Sequence, residues 1–252
     1  MCGRFGLIHS LEEILRVYSL DMDMINFQPR FNIAPGQDIL TITSQNHREK
    51  IKNVASIFKW GFVPSWSRDS SVGSKMINAR AETIYKKPAF SSAFKSRRCL
   101  VPASGFYEWQ TQSTGAKQPF WISAADGGLL TFAGLWESWV SNGGDNLQTC
   151  TIITTSANNS LSNIHGRMPV IIGPDNFNAW LKSDYSSIQS STITTDLLRS
   201  SPDAVTLAWP VSRMVNNTSN GGADLISPVD LSLENNDQYK PQLNKQGKLF
   251  PF

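Results

Sequence analysis

Runs of β-branched and aromatic residues recur along this chain, and each is cut short by glycine, proline or a polar cluster. That punctuation confines the chain to many short strands and leaves little room for long helices. Strands are predicted at residues 39–43, 54–58, 98–101 (ending at Pro102), 148–155, 170–172 and 205–209. Residues 119–123 and 129–136, joined across Ala124-Ala125-Asp126-Gly127-Gly128, have the form of a hairpin. This hairpin and the strand at 148–155 are expected in one antiparallel sheet. Helical spacing is confined to two short segments. Ser10-Leu11-Glu12-Glu13 has the form of a capping box, with Leu11, Ile14, Leu15 and Tyr18 at helical intervals, while residues 175–181 turn Phe177, Trp180 and Leu181 inward. The stretch Pro29 to Gly36 carries two prolines and a glycine and reads as a rigid loop, and residues 186–195 read as a loop or weak helix.

With 252 residues, 40% of them hydrophobic, the chain has ample material for a core. One domain over residues 1–229 and a polar, mobile tail over 230–252 are expected, because few apolar residues follow Asp230 before Leu249. Three cysteines, Cys2, Cys99 and Cys150, are too few and too dispersed for a disulfide scaffold, and no Cys/His cluster points to zinc. Neither a metal nor a cofactor is expected. No apolar run reaches the roughly 18–20 residues of a membrane span, and the amino terminus lacks a secretory signal, so a soluble, cytoplasmic monomer is expected. The triplets at Asn158 and Asn216 are therefore read as chance matches to a glycosylation site.

The amino terminus is chemically unusual. Methionine is generally trimmed before a small second residue, and Cys2 would then carry a free α-amine and a thiol on neighbouring carbons. Ordinary pKa values of about 7.7–8.0 and about 8.5 leave part of each population reactive near neutral pH. Taken alone, Cys2 is more often just a second residue than a nucleophile.

Further along, Asn78, Arg80 and Glu82 alternate with Ile77, Ala79 and Ala81, so an extended segment would present the three polar side chains on one face. A half-buried strand with a wet face gives the same pattern. Glu108 lies among Phe106, Tyr107 and Trp109; either it is desolvated and carries protons near neutral pH, or it points to solvent from an edge strand. His165 stands at a loop-to-strand junction beside Arg167, a place where acid–base and phosphate contacts combine, whereas His9 and His47 have no such company. Trp60 and Phe62 read as core, and Trp66, past Pro64 and before a polar run, as an exposed ring on which a base can stack. Net charge is only +3, yet the segment from Lys75 to Arg98 holds seven basic residues against the single acid Glu82. That asymmetry suits a surface facing phosphates, although a solvated face is the commoner explanation. Arg213 is a further candidate phosphate contact.

Several blocks, taken in order, resemble the SOS-response-associated peptidase (SRAP) family. They are Met1-Cys2-Gly3-Arg4, Asn32-Ile33-Ala34-Pro35-Gly36, Trp60-Gly61-Phe62-Val63-Pro64, Ile77-Asn78-Ala79-Arg80-Ala81-Glu82, Gly105-Phe106-Tyr107-Glu108-Trp109, Ile164-His165-Gly166-Arg167-Met168-Pro169 and Pro210-Val211-Ser212. Each block is a weak signal by itself, and their order and spacing as a set are specific. The resemblance implies an α+β fold of mostly antiparallel, barrel-like sheets flanked by short helices. It also implies covalent crosslinking to abasic sites in single-stranded DNA, with Cys2 as the crosslinking residue and Asn78, Glu108 and His165 around it. Arg4, Arg80 and Arg167 match positions that hold DNA in the family, Trp66 resembles an aromatic near the DNA path, and Lys86 and Lys87 are added from the basic stretch.

On that basis the Cys2 amine is expected to form a Schiff base with the open-chain aldehyde, which the thiol closes into a thiazolidine. An autopeptidase activity releasing the residue before Cys2 is also expected from the family's name. The rival from another class is an N-terminal-nucleophile amidohydrolase of the glutamine amidotransferase type, which Cys2-Gly3 also resembles. A noncovalent single-strand binder fits Trp66 and the basic stretch and leaves Cys2 and Glu108 without a task.

Overall fold

In the computed structural model, which describes residues 2–20, 27–47, 50–182 and 195–232, the chain opens with strand β1 (Phe5–Leu7) and helix α1 (Leu11–Tyr18). The capping box forms as its sequence predicts: Ser10 Oγ accepts from the Glu13 N–H at 3.2 Å, and the Ser10 N–H donates to Glu13 Oε2 at 3.0 Å. Ser19 ends the helix in the left-handed region at φ 51°. The buried Tyr18 then joins its hydroxyl to Thr131 Oγ1 at 2.6 Å, fixing α1 to the body of the protein.

The strands that follow are β2 (Arg30–Ile33), β3 (Asp38–His47), β4 (Lys50–Trp60) and β5 (Asn78–Arg80). After helix α2 (Pro88–Ser96) come β6 (Arg98–Ala103), β7 (Gly105–Thr111), β8 (Lys117–Ala124), β9 (Leu130–Val140) and β10 (Asn146–Ser156). Helix α3 (Asn159–Ser162), β11 (Arg167–Pro169), helix α4 (Phe177–Lys182) and β12 (Thr206–Pro210) complete the order.

The strands make two systems, and the hairpin expected at 119–136 does not form: β8 pairs with β7 and β12 in one system, while β9 and β10 lie in the other. One is an antiparallel sheet in the order β12-β8-β7-β1-β2. In the other, β10, β4, β3, β6 and β9 close into a ring because β10 pairs with both β4 and β9, and β5 and β11 extend it alongside β10. Ring closure removes the exposed edges that a sheet of this composition would otherwise present. The pairings of β10 with β4 and with β5 are parallel. They arise because the chain leaves the barrel after Trp60, makes an excursion through residues 61–77, and returns on the same side of β10. Glycine permits the exit: Gly61 has φ 144°, and its backbone packs so closely on Gly73 that a Cβ on Gly61 would lie 2.8 Å from the Gly73 carbonyl oxygen.

Sheet and barrel share a core. The ring of Phe5 lies 5.3 Å from Trp60 and 6.1 Å from Phe132, and Phe106 reaches Phe132 at 5.8 Å. Burial of each such ring contributes about 1.5–3 kcal/mol. The opposite face of the sheet covers a smaller core of Tyr107, Trp121, Val211, Val215 and Leu225. Trp60 and Phe62 are fully buried, as their sequence context predicts.

Three local expectations are corrected. The stretch from Pro29, expected as a loop, contains β2, an edge strand with Ile33 opposite Phe5; an edge tolerates flanking prolines because only one side is paired. Strand β6 runs through Pro102, which faces Thr131; β3 meets β6 only at Leu100, so beyond that point one edge is open to proline. The strand expected at 170–172 lies earlier, at β11, and Ile171 makes only an isolated bridge to Phe132. Of the stretch 186–195, expected as a loop or weak helix, residues 186–194 lie outside the described residues, as does the tail beyond Ser232. Among the described residues no helix is long and apolar enough to cross a membrane.

Candidate active site

Strand pairing brings the amino terminus to Glu108. Phe5 lies opposite Phe106 and Gly6 opposite Gly105, and the Tyr107 N–H donates to the Arg4 carbonyl at 2.9 Å, so the same register carries residues 2 and 3 toward 108 and 109. The close approach needs Gly105, where a Cβ would stand 2.4 Å from Trp121 Cζ2. Alternation along β7 turns Phe106 and Glu108 toward the barrel, and Tyr107 and Trp109 toward the smaller core. Glu108 is thus buried, with 3% of its surface exposed, which decides between the two readings of its sequence in favour of the desolvated carboxyl.

That burial dominates its electrostatics. Desolvation raises the Glu108 pKa above the ordinary carboxylate value, and positive charge nearby, including His165, pulls it partly back. His165 Nδ1 stands 3.8 Å from Glu108 Oε1. Cys2 is also buried, and its thiol is pushed well above the usual range, first by desolvation and second by the Glu108 charge, while a hydrogen bond with the Arg4 backbone acts the other way. Cys2, Glu108 and His165 therefore form one electrostatic unit, assembled from three distant segments of the chain.

The segment expected to alternate does so. Asn78 is half-buried, Ala79 and Ala81 are buried, and Arg80 and Glu82 are exposed, although β5 ends at Arg80 and Glu82 lies in the following turn. Asn78 Nδ2 donates to the Ile77 carbonyl at 3.0 Å and reaches Ile152 O at 3.5 Å. Its Oδ1 is buried and has no hydrogen-bond partner among the described residues, which leaves an oriented acceptor. His165 is held by the residue two places on: the Arg167 N–H donates to His165 Nδ1 at 3.0 Å. The Arg167 guanidinium is in turn gripped by Glu82 and by the Thr154 carbonyl.

Other residues singled out in the sequence fall elsewhere. Arg4 is committed within the protein: its Nη1 donates to Asn32 Oδ1 and to the Val215 carbonyl, each at 2.7 Å, and it lies over the Trp109 ring. Trp66 is 67% exposed at the tip of the 61–77 excursion, where Trp139 Nε1 anchors the neighbouring Ser67 carbonyl at 2.7 Å. Lys86 and Lys87 are exposed just before α2, Lys86 lying over Tyr85. The basic stretch is less superficial than its composition suggests. Arg98 is buried and donates to Trp180 O and Phe94 O at the ends of α4 and α2, and Arg97 pairs with Glu137 at 2.9 Å. His9 does have company, meeting Ser104 Oγ at 2.6 Å through Nδ1. Arg213 opens a short 3₁₀ turn next to the loop that binds Asn32. Among the described residues no three His, Cys, Asp or Glu side chains gather as a metal site.

Asn32 and Glu82 are the residues whose tasks sequence reasoning missed. Asn32 is 7% exposed and donates to the carbonyls of Asn217 and Asn220 while accepting from Arg4. The available signal was a polar amide flanked directly by Phe31 and Ile33.

Comparison with known proteins supports this architecture independently. The family model described as SOS response associated peptidase (SRAP) matches residues 1–218. The abasic site processing protein YoaM of Bacillus subtilis is 39% identical over 228 residues, covering 90% of this chain and 97% of that protein. The abasic site processing protein YedK of Escherichia coli is 31% identical over 235 residues, covering 91% and 100%. A crystal structure of a Bacteroides thetaiotaomicron protein has the same fold, with a TM-score of 0.77 at 22% identity over 90% of this chain and 100% of that one. The α+β architecture, the ordered blocks and the breadth of these matches agree: the chain belongs to the SOS response associated peptidase family.

Proposed function

We propose that this chain processes abasic sites in single-stranded DNA by crosslinking itself to them through Cys2, shielding the lesion. The observation that carries the proposal is the buried Glu108, 3.8 Å from His165 and close enough to Cys2 for its charge to act on the thiol. The names of the relatives, abasic site processing proteins, supply the substrate class. Once Met1 is removed, the Cys2 amine adds to the open-chain aldehyde to give a carbinolamine, which loses water to form a C=N bond. The thiol sulfur then adds to that carbon as its proton leaves to the Glu108 carboxylate, closing a five-membered ring whose nitrogen keeps the hydrogen it carried in the protonated C=N bond. One aldehyde, one amine and one thiol thus yield a thiazolidine and one water. A carboxyl whose pKa is raised by burial keeps its proton to higher pH, so Glu108 protonates the departing hydroxyl and afterwards takes the thiol proton. Asn78 Oδ1 orients the amine or the sugar, and His165 exchanges protons with the sugar hydroxyl. Arg80 and Arg167 hold the flanking phosphates, Trp66 stacks on a base, and Lys86 and Lys87 add charge along the strand.

The test is incubation with an abasic single-stranded oligonucleotide followed by a denaturing gel. Cys2→Ala and a chain that retains Met1 should give no stable adduct, since the retained residue leaves only an amide nitrogen at position 2. Glu108→Gln should slow adduct formation by about 10²–10⁴-fold. An adduct from Cys2→Ala that survives denaturation would overturn the assignment. Mass measurement of chains extended before Cys2, with and without Glu108, separates self-cleavage from trimming by an aminopeptidase.

A further inference from the structure

The guanidinium of Arg167 is filled in a way that bears on DNA affinity. Its Nη1 and Nη2 face the two carboxylate oxygens of Glu82 at 2.5 and 3.1 Å, and Nη2 also donates to the Thr154 carbonyl at 2.6 Å. Its Nε is buried, with no partner among the described residues, so the edge turned to Glu82 is the accessible one. The Glu82 side chain is 48% exposed and the Arg167 side chain 19%. Arg80, two residues before Glu82, also acts on this carboxylate. A carboxylate held bidentate by a guanidinium occupies the same planar fork that a phosphate takes.

We propose that Glu82 is a built-in counter-anion, which a strand phosphate must displace from Arg167 before the DNA can seat. The inference rests on the single-strand function proposed above and concerns selectivity within it. Glu82 lowers affinity for undamaged strands, which then leave, whereas an abasic strand is retained by the covalent bond. The carboxylate lies in a turn beyond the end of β5 and is half in solvent, so it can swing away without disturbing the barrel.

The experiment measures equilibrium binding of an intact single-stranded oligonucleotide, free of abasic sites, across a salt series. Glu82→Gln should bind about three- to fivefold more tightly than wild type at low salt, the range set by a partly exposed ion pair. The slope of log K against log salt should steepen by up to about 0.7, because no displaced Glu82 carboxylate is left to take up a cation against the one the phosphate releases. In an Arg167→Gln background the Glu82→Gln gain should vanish. Undamaged competitor should inhibit crosslinking of abasic DNA more strongly with Glu82→Gln, by the same factor. Equal or weaker binding by Glu82→Gln, or a gain that persists without Arg167, overturns the counter-anion role. Because the binding assay involves no covalent chemistry, a tighter Glu82→Gln with no adduct on abasic DNA would overturn the crosslinking function and leave this inference standing.

Discussion

Replacing Asn32 with alanine tests how the amino terminus is held in place. The Asn32 amide, 7% exposed, accepts from Arg4 Nη1 at 2.7 Å. Its Nδ2 reaches the carbonyls of Asn220 at 3.0 Å, Asn217 at 3.1 Å and Val215 at 3.3 Å. Two amide hydrogens allow two full bonds among the three carbonyls. Two neutral bonds at about 1 kcal/mol each and one charge-assisted bond at about 1.5–3 kcal/mol sum to about 3.5–5 kcal/mol. Arg4 keeps its 2.7 Å bond to Val215 O and its seat over Trp109, which trims the expected loss to about 3 kcal/mol. Urea denaturation of Asn32→Ala should therefore show a lower midpoint at an unchanged slope. Since Arg4 lies two residues from Cys2, adduct formation should slow as well. A double-mutant cycle with Arg4→Met should return a coupling of at least about 1 kcal/mol, as for residues in one hydrogen-bond network. A loss below about 1 kcal/mol, or additive effects in the cycle, would show that the network does not hold the terminus.

Two further outcomes follow from the same geometry. Gly105→Ala places a methyl group 2.4 Å from Trp121 Cζ2 and 2.6 Å from the Ile122 carbonyl, and should destabilise the chain by about 1–3 kcal/mol or more, measured by denaturation; a change under about 0.5 kcal/mol would refute the close packing of β1, β7 and β8. Burial raises the Glu108 pKa in the folded state, so its contribution to stability is fully present below the unfolded value of about 4.3 and is lost as pH rises through the folded value. Glu108→Gln should consequently gain thermal stability relative to wild type as pH rises from about 4 toward neutrality, and a pH-independent difference would show that the carboxyl is not desolvated.

Several parts of this protein were legible in its residues. The capping box at Ser10 formed because it depends on neighbours three residues apart. Alternation at Asn78, Arg80 and Glu82 and the burial of Trp60 and Phe62 followed from local periodicity and hydrophobicity. The ordered blocks also named the family, since the matching stretches lie within 1–218.

What the sequence alone determined was a supply of strands, the cap, the exposed Trp66 and a set of polar side chains suited to amine and proton chemistry. Only the tertiary structure decided that β10 pairs with β4 and β9 to close a barrel, that Arg4 and Arg98 serve the interior, and that Glu82 fills the Arg167 fork. The physical reason is the separation of the partners along the chain. Glu82 and Arg167 lie 85 residues apart and Asn32 and Asn220 lie 188 apart. Local propensity carries no information about such pairs, and whether a charge meets solvent, a carbonyl or another charge is settled only when the strands have closed around it.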